Sequence, residues 1–512
     1  MKAWIQKNKW NCLALASYLL LNGVLLWCYD PWRDVAQAWL IARDLSVPEL
    51  FAQLRYEGHP CLWYLLLMPF AKLGFPYPLV GLISLALMTA AAVLLLWRAP
   101  FRWYVRCLCL FGALGTYYLP VIARSYALVP PLCCLLAAAY PARHARPVWY
   151  AFLLFLLSQV HVILCGMVGV LMLYWALEEL TLLRRGRVRL PRSLAALGLM
   201  LAGVMLLAFL LPSAGTNPYA SWHVWKSAAE TAKRFGYTLL GIADETLGFS
   251  ILERGNTAYR FMMLPFFGVL LGAMVCWFRR SPRMAALFTV SVLWHAVINT
   301  FIYSGSTQRF VVLGWQFLLC AWLSVEERRV PRAKGATSRK ELDTGNSCRA
   351  ALGAALAVLS LLSVPTLYEM VRLEAGNTEI ISTSGEAAGY IRSELPEDAV
   401  IIVDSEVWGS AVAAYFPRGK FYNPIRGSFD TFATWDGKED DWYAWGDLDA
   451  ALMDLREKDV SGEAYLLCEY KQGEAAAAMA ARGGAKLKEI KSWTQRRATE
   501  SYRLYRVIEP GR

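Results

Sequence analysis

The chain has no Cys/His spacing of the kind that holds zinc, and only five histidines in 512 residues. A structural zinc module is excluded on that ground. No stretch repeats another, which excludes a solenoid. The polar stretch after residue 369 has no glycine-rich phosphate loop and no nucleophile–base triad, so it carries no catalytic signature of its own. No small-x-small cleavage site follows the first apolar run, Cys12 to Trp27, although Lys2, Lys7 and Lys9 precede it. That run reads as an uncleaved signal anchor. Cysteine is not scarce, with twelve in all. Yet Cys107, Cys109, Cys133, Cys134, Cys165, Cys276 and Cys320 lie inside apolar runs, where the residue behaves as a small hydrophobe. No metal site and no defining disulfide is expected from them.

Apolar length is what the chain has in abundance. It is 57% hydrophobic with a mean hydropathy of +0.35, whereas soluble domains run roughly 45–50% apolar. Repeated runs of spanning length predict a polytopic α-helical membrane protein. The net charge of +12 reads as positive-inside charge and not as a nucleic-acid footprint, because Lys and Arg cluster in short loops between apolar runs.

The later apolar runs are 59–74, 77–97, 103–121, 125–140, 148–160, 162–178, 193–212, 259–278, 284–303, 309–325 and 350–368. Basic clusters stand at the N-terminus, at Arg98/Arg102/Arg106, Arg143/Arg146, Arg184 to Arg192, Arg279/Arg280/Arg283, and Arg328 to Lys340. If all face the cytoplasm, an even number of crossings separates neighbours. That holds from Arg106 onward and fails once, before Arg98, where three runs occur. Run 59–74 is short and holds Pro60 and Pro69, so it is expected to be juxtamembrane or re-entrant. About eleven spans remain, with the N-terminus and a polar linker at 326–349 inside. Residues 29–58 and 369–512 then lie outside.

The stretch 29–64, directly after the first apolar run, combines many ionisable groups with many aromatics: Asp30, Arg33, Asp34, Arg43, Asp44, Glu49, Arg55, Glu57 and His59. Asp34, Val35, Ala38, Trp39, Ala42 and Leu45 fit a short amphipathic helix lying in the interface. Asp34 stands at its start, as a functional carboxylate or as a plain N-cap. Pro48 interrupts the helix, and a second runs to about Arg55. The same face collects Arg124, Tyr126, His161 and Arg309 at outer turns. Ionisable groups at membrane depth are functional candidates by default.

After about Glu369 the pattern changes to alternating helices and strands: helix 385–395, strand 399–404, helix 407–415, strand 420–423, helix 447–457, strand 464–469, helix 473–482, and strands 485–492 and 500–508. That predicts a C-terminal soluble α/β domain with a mixed sheet. Its loop aromatics, Phe429, Phe432, Trp435, Trp442, Tyr443 and Trp445, are expected to pack it onto the membrane face or to cover the site. It reads as separable from the chemistry.

Trp32-Arg33-Asp34-Val35, Glu57-Gly58-His59-Pro60-Cys61-Leu62 and Ala123-Arg124-Ser125-Tyr126 occur in that order on one face of this topology. The pattern resembles the GT-C class of glycosyltransferases. Within it the chain is similar to the protein O-mannosyltransferase, aminoarabinose transferase and RgtA-like bacterial families. The resemblance covers most of residues 10–325. Val35 stands where those families usually have Glu, and Cys61 where they have Pro.

The resemblance implies a membrane enzyme that moves a sugar from a polyprenyl-phosphate donor to an extracytoplasmic glycan, lipid or protein acceptor. It implies a bacterial-type inner membrane location. Such transfer needs a base for the acceptor hydroxyl and fixed cations for the leaving phosphate. Asp34 is the expected base and Asp30 the alternative. Arg124 and Arg309 are the expected phosphate contacts. Arg33, Glu57, His59, Tyr126 and His161 are expected to shape the site or bind the acceptor. The resemblance fixes no cofactor beyond the lipid-linked sugar donor as substrate, and a divalent cation is compatible with the chemistry. Two other readings fit the same topology: a lipid-linked sugar transporter or flippase, and a non-enzymatic envelope assembly factor.

Overall fold

A computed structural model describes residues 6, 8–210, 227–247, 257–302, 307–329, 350–358, 360–361, 382–429, 431–435, 448–460, 462–482, 484–494 and 500–508. The apolar runs fold as helices because a lipid-facing backbone must satisfy its own hydrogen bonds. In chain order they are α1 (Lys9–Cys28), α2 (Arg33–Asp44), α3 (Val47–Glu57), α4 (Leu62–Lys72), α5 (Leu79–Arg98), α6 (Trp103–Phe111) and α7 (Val129–Ala139). There follow α8 (Pro147–Ser158), α9 (Cys165–Arg184), α10 (Leu190–Phe209), α11 (Ala228–Leu247), α12 (Thr257–Arg280), α13 (Pro282–Phe301) and α14 (Thr307–Arg329).

The protein is a polytopic membrane protein with a soluble C-terminal part. Among the described residues six helical segments are long and apolar enough to cross a membrane: α1, α5, α10, α13, Ser125–Ala142 around α7, and Val162–Arg184 around α9. That is fewer than the eleven spans expected. Helix α8 has only 12 residues. The 59–74 run forms α4, whose 11 residues extend about 16 Å, half of a hydrocarbon core. It packs along α2.

The 103–121 run is not one helix either. Helix α6 ends at Phe111, and the chain to Arg124 is turns and bends. Irregular backbone inside a bundle survives only where side chains satisfy it. Here they do. Tyr18 Oη donates to the Gly115 carbonyl (2.7 Å) and Trp315 Nε1 to Leu114 O (2.6 Å). Ser84 Oγ donates to Leu119 O (2.8 Å), and Asn22 Oδ1 accepts the Tyr117 N–H (3.2 Å). The polar residues of the first helix, Tyr18 and Asn22, thus help to shape the turn that delivers Arg124 and Tyr126.

Contacts sort the bundle into two ends. Arg124, Tyr126, His161 and Arg309 meet where α1 runs into α2. Arg143, Glu178, Arg283 and Glu327 meet at the other end, with Arg283 2.7 Å from Glu178 and 3.4 Å from Glu327. The Val162–Arg184 helix links the two ends, so they stand about 25 Å apart.

The soluble part follows the expected order closely. Its helices are α15 (Ser384–Glu394), α16 (Glu406–Ala413), α17 (Leu448–Glu457) and α18 (Gly473–Arg482). Its strands are β1 (Val400–Val403), β2 (Phe421–Tyr422), β3 (Ala464–Glu469), β4 (Lys486–Trp493) and β5 (Tyr502–Ile508), in the order β2-β1-β3-β5-β4. β1 pairs in parallel with β2 and β3, while β5 pairs antiparallel with β3 and β4. The buried runs VIIV and AYLLCE form the centre because both faces are covered, as parallel strands require. Phe429 packs on Tyr422 inside this domain, whereas Phe432 is buried in the cluster that holds the bundle core. Trp442, Tyr443 and Trp445 lie outside the described residues.

Candidate functional site

Helix α2 sets the site, and the soluble domain holds α2. The helix receives no side-chain cap from its own N-cap residue, Trp32, and Asp34 sits inside its first turn. Asp34 is therefore not the N-cap. Glu500 takes that role from the other end of the chain, its two oxygens 3.0 and 3.2 Å from the Arg33 N–H. A carboxylate is favoured there because helix N-termini carry partial positive charge. Nor does α2 have a wet face. Residues Val35–Ala42 are all buried, with α4 packed on one side and α16 on another.

Three further grips bind the domain to this region. Asp30 accepts from the Gly385 N–H (2.8 Å) and from Tyr415 Oη (2.9 Å). A Cβ on residue 385 would sit 2.6 Å from an Asp30 oxygen, so glycine is required for that approach. The Gln37 carboxamide exchanges two hydrogen bonds with the Ala433 backbone, at 2.6 and 2.9 Å. Arg43 chelates Asp44 at 2.7 and 2.9 Å and donates to Phe416 O at 2.7 Å, while Thr431 Oγ1 donates to Asp44 at 2.6 Å. The separable tail expected from sequence is in fact fastened to the helix that carries Asp34.

The next helix, α3, delivers His59. α3 starts with a capping box between Ser46 and Glu49 and ends at Gly58, whose φ of 68° turns the chain back. Glu57 folds inward, accepting from Gln37 (2.8 Å) and Gln53 (3.1 Å). His59 then faces His161 edge-on, with ring centroids 5.1 Å apart.

The polar cluster reads outward from Asp34. Arg124 lies 2.8 Å from Asp34 Oδ2, and its guanidinium sits 5.6 Å from the Tyr126 ring centroid. Tyr126 Oη is 3.2 Å from His161 Nε2 and accepts from Arg309 Nε at 3.2 Å. His161 Nδ1 accepts the Ile163 N–H, so its proton belongs on Nε2, aimed at Tyr126. His59 has the opposite tautomer: Nδ1 is 2.9 Å from the Glu57 carbonyl and must donate to it, which leaves Nε2 an acceptor.

Burial first, then the charges of Arg124 and Arg309, push His59 down to about 4 against the opposing Glu57 carbonyl and Asp34. Burial likewise holds His161 well below the ordinary imidazole value, with His59 and the two arginines adding to it. Both rings are neutral at pH 7. Burial opposes the Arg124 charge, but Asp34 and then Tyr126, Tyr64 and Tyr29 outweigh it, so its pKa stays above the ordinary value.

No family model and no curated protein matches the chain.

Six of the expected site residues, Asp34, His59, Arg124, Tyr126, His161 and Arg309, come together here from separate parts of the chain. Two do not join them, and Arg33 touches the cluster only at its edge, through Asp34. Asp30 is spent on the soluble domain, and Glu57 on two carboxamides. Arg33 turns to the Trp408 ring, 4.1 Å from its centroid, and stands 3.8 Å from Glu500 and 3.9 Å from Asp34. Trp408, Glu500 and Tyr415 are the residues that sequence reasoning missed, because no local pattern marks a partner several hundred residues away. The donor set does not suit a divalent ion. Asp34 is neighboured by a guanidinium, and among the described residues no group of three or more His, Cys, Asp or Glu could hold one. No step is assigned to a metal.

The grips on α2 predict a pH dependence. Burial raises Asp30 from 3.8 to about 6, opposed by Gly385 and Tyr415. Burial raises Glu500 from 4.5 to about 7, opposed by the Arg33 N–H, Ser382 and the Arg33 charge. A carboxyl whose pKa is raised by docking takes up a proton on docking. Its contribution is full below the ordinary value and is lost as pH climbs through the raised one. Docking is therefore expected to be tighter at pH 5 than at pH 8. Glu500→Gln, which keeps an acceptor for Arg33 N–H, is expected to remove most of that difference. Hydrogen exchange in the first turn of α2 measures both, and protection that grows from pH 5 to pH 8 would exclude this account.

Proposed function

We propose that the protein is a membrane glycosyltransferase that moves a sugar from a polyprenyl-phosphate donor to a glycan, lipid or protein acceptor. The observation that carries this reading is the Asp34–Arg124 pair standing beside Tyr126, His161, His59 and Arg309 at one end of the bundle. A carboxylate next to fixed cations at membrane depth is what transfer from a lipid phosphate needs. The acceptor hydroxyl oxygen attacks the anomeric carbon while its proton passes to Asp34. The bond from that carbon to the phosphate oxygen breaks, and the electron pair leaves on the polyprenyl phosphate. Developing charge on that phosphate is met by Arg309 and by the Arg124 fork. The two neutral imidazoles and Tyr126 hold these cations apart and offer hydrogen bonds to sugar hydroxyls.

In this reading the site end is extracytoplasmic, and so is the domain fastened to it. The basic clusters at the other end, including Arg143, Arg283 and Arg328, supply the positive-inside bias. The N-terminus and the 326–349 linker are inside, the chain crosses about eleven times, and the membrane is of the bacterial inner type.

The test is turnover. Purified full-length protein is given undecaprenyl-phosphate monosaccharides, and released undecaprenyl phosphate is measured with and without glycan or lipid acceptors. Turnover of at least one donor is expected, as transfer or as slow hydrolysis. Movement of a labelled donor across proteoliposomes without any turnover would replace this reading with the flippase.

A further inference from the structure

Three polar side chains on α13 and α14 are buried without a well-formed hydrogen bond among the described residues. His295 and Gln316 are 0% exposed and Asn299 is 8%. Both ring nitrogens of His295 and both amide heteroatoms of Asn299 and of Gln316 have no hydrogen-bond partner among the described residues. Gln316 lies beside the His295 ring, close enough to act on it as a hydrogen-bond partner would, but without a well-formed bond between them. Buried polar groups are satisfied in the great majority of cases, and each one that is not costs the fold. Three at one place form a standing deficit.

Their position gives the deficit a meaning. His295 and Asn299 are one turn apart on α13, so they share a face, and α13 packs on α14. Gln316 is two turns beyond Arg309 on α14, again on one face and about 10 Å deeper into the bundle. His295 lies near enough to Arg309 and His161 to feel and exert charge. The unsatisfied groups therefore continue the site inward from the phosphate end. An imidazole and two carboxamides each donate and accept, and none is a carboxylate. Such a set brings no fixed charge for a phosphate and only one strong metal ligand. It is well matched to alcohols, each of which also donates and accepts.

We infer that His295, Asn299 and Gln316 line the pocket for the hydroxyl groups of the donor's sugar. This rests on the glycosyltransferase reading and adds to it the residues that read the sugar, which lie deeper than the residues that hold the phosphate.

Thermal unfolding of the purified full-length chain tests it, with undecaprenyl phosphate and with its glucose, mannose, galactose, arabinose and N-acetylglucosamine esters as probes. In the wild type at least one sugar-bearing lipid is expected to bind more tightly than the bare phosphate. Gln316→Met and Asn299→Leu are expected to lose that increment, roughly tenfold in affinity, while keeping the response to bare undecaprenyl phosphate. Without ligand both variants should unfold at or above the wild-type temperature, because an unmet polar group has been removed. Variants that keep the sugar increment would overturn the inference, and so would variants that are destabilised by several degrees without ligand, since the amides would then be bonded within the fold. Retention of the donor increment with a raised KM for the acceptor would assign the pocket to the acceptor instead. No response of the wild type to undecaprenyl phosphate itself would remove the underlying reading, and this inference with it.

Discussion

Asp34→Asn is expected to lower sugar transfer about a hundredfold or more, while the protein folds normally and binds the lipid-linked donor as before. Asparagine keeps the size of the side chain and an acceptor for the Arg124 guanidinium, now 2.8 Å away, but it cannot take a proton. Asn still accepts from the largely buried Arg124 (18% exposed), and Asp34 itself keeps contact with solvent (32%), so loss of the ion pair is expected to cost on the order of 1 kcal/mol. Helix α2 does not depend on Asp34 for its cap, since Glu500 supplies that from the soluble domain. A large loss of transfer with an unchanged melting profile therefore reports chemistry. Transfer within a few-fold of wild type at saturating donor would remove Asp34 from the mechanism. The neutral His59, with Nε2 as acceptor, would then be the next base to test, since both Asp30 oxygens are already bonded.

Arg309→Gln should fail in the opposite way. Its Nε donates to Tyr126 Oη, which His161 also contacts, so the guanidinium is anchored at the mouth of the polar cluster. An anchored cation acts on a leaving phosphate without reorganising, and removing one such donor typically costs ~10²–10³ in rate. Unlike Asp34→Asn, this change also removes charge from the donor's ground state. Affinity for undecaprenyl phosphate is expected to fall at least about tenfold together with turnover. Arg309→Lys should recover part of the binding and little of the turnover, because a point charge cannot replace a fork held on Tyr126. Unaltered affinity for undecaprenyl phosphate in Arg309→Gln would show that the phosphate lies elsewhere.

The candidate cluster was legible in sequence to the extent that polar groups stand out against apolar flanks. Asp34, His59, Arg124, Tyr126, His161 and Arg309 are each conspicuous in that way, and a shared end of the bundle follows from crossing parity. Asp30 and Glu57 are as conspicuous but were diverted. Each is bonded by groups that arrive from other elements: Gly385 and Tyr415 for Asp30, Gln37 and Gln53 for Glu57. Among these only the Gln53–Glu57 pair, four residues apart on one helix, could have been read locally. The 103–121 run was misread as one helix for a related reason. Its hydropathy is that of a span, and its irregular course depends on Tyr18, Asn22, Ser84 and Trp315 reaching across from other helices.

The amino-acid sequence alone determined that the chain enters a membrane repeatedly, that a mixed α/β domain follows, and which polar residues stand out against apolar flanks. Those properties depend on hydrophobicity, period and composition over short windows, and each residue contributes to them wherever it lies. Only the tertiary structure decided that the soluble domain grips α2, that Glu500 caps the helix of Asp34, that Arg124 pairs with Asp34, and that His295, Asn299 and Gln316 share one unsatisfied place. Those facts depend on hydrogen bonds between groups far apart in the chain. Such bonds have no periodicity, and they exist only once packing has brought donor and acceptor within about 3 Å of each other.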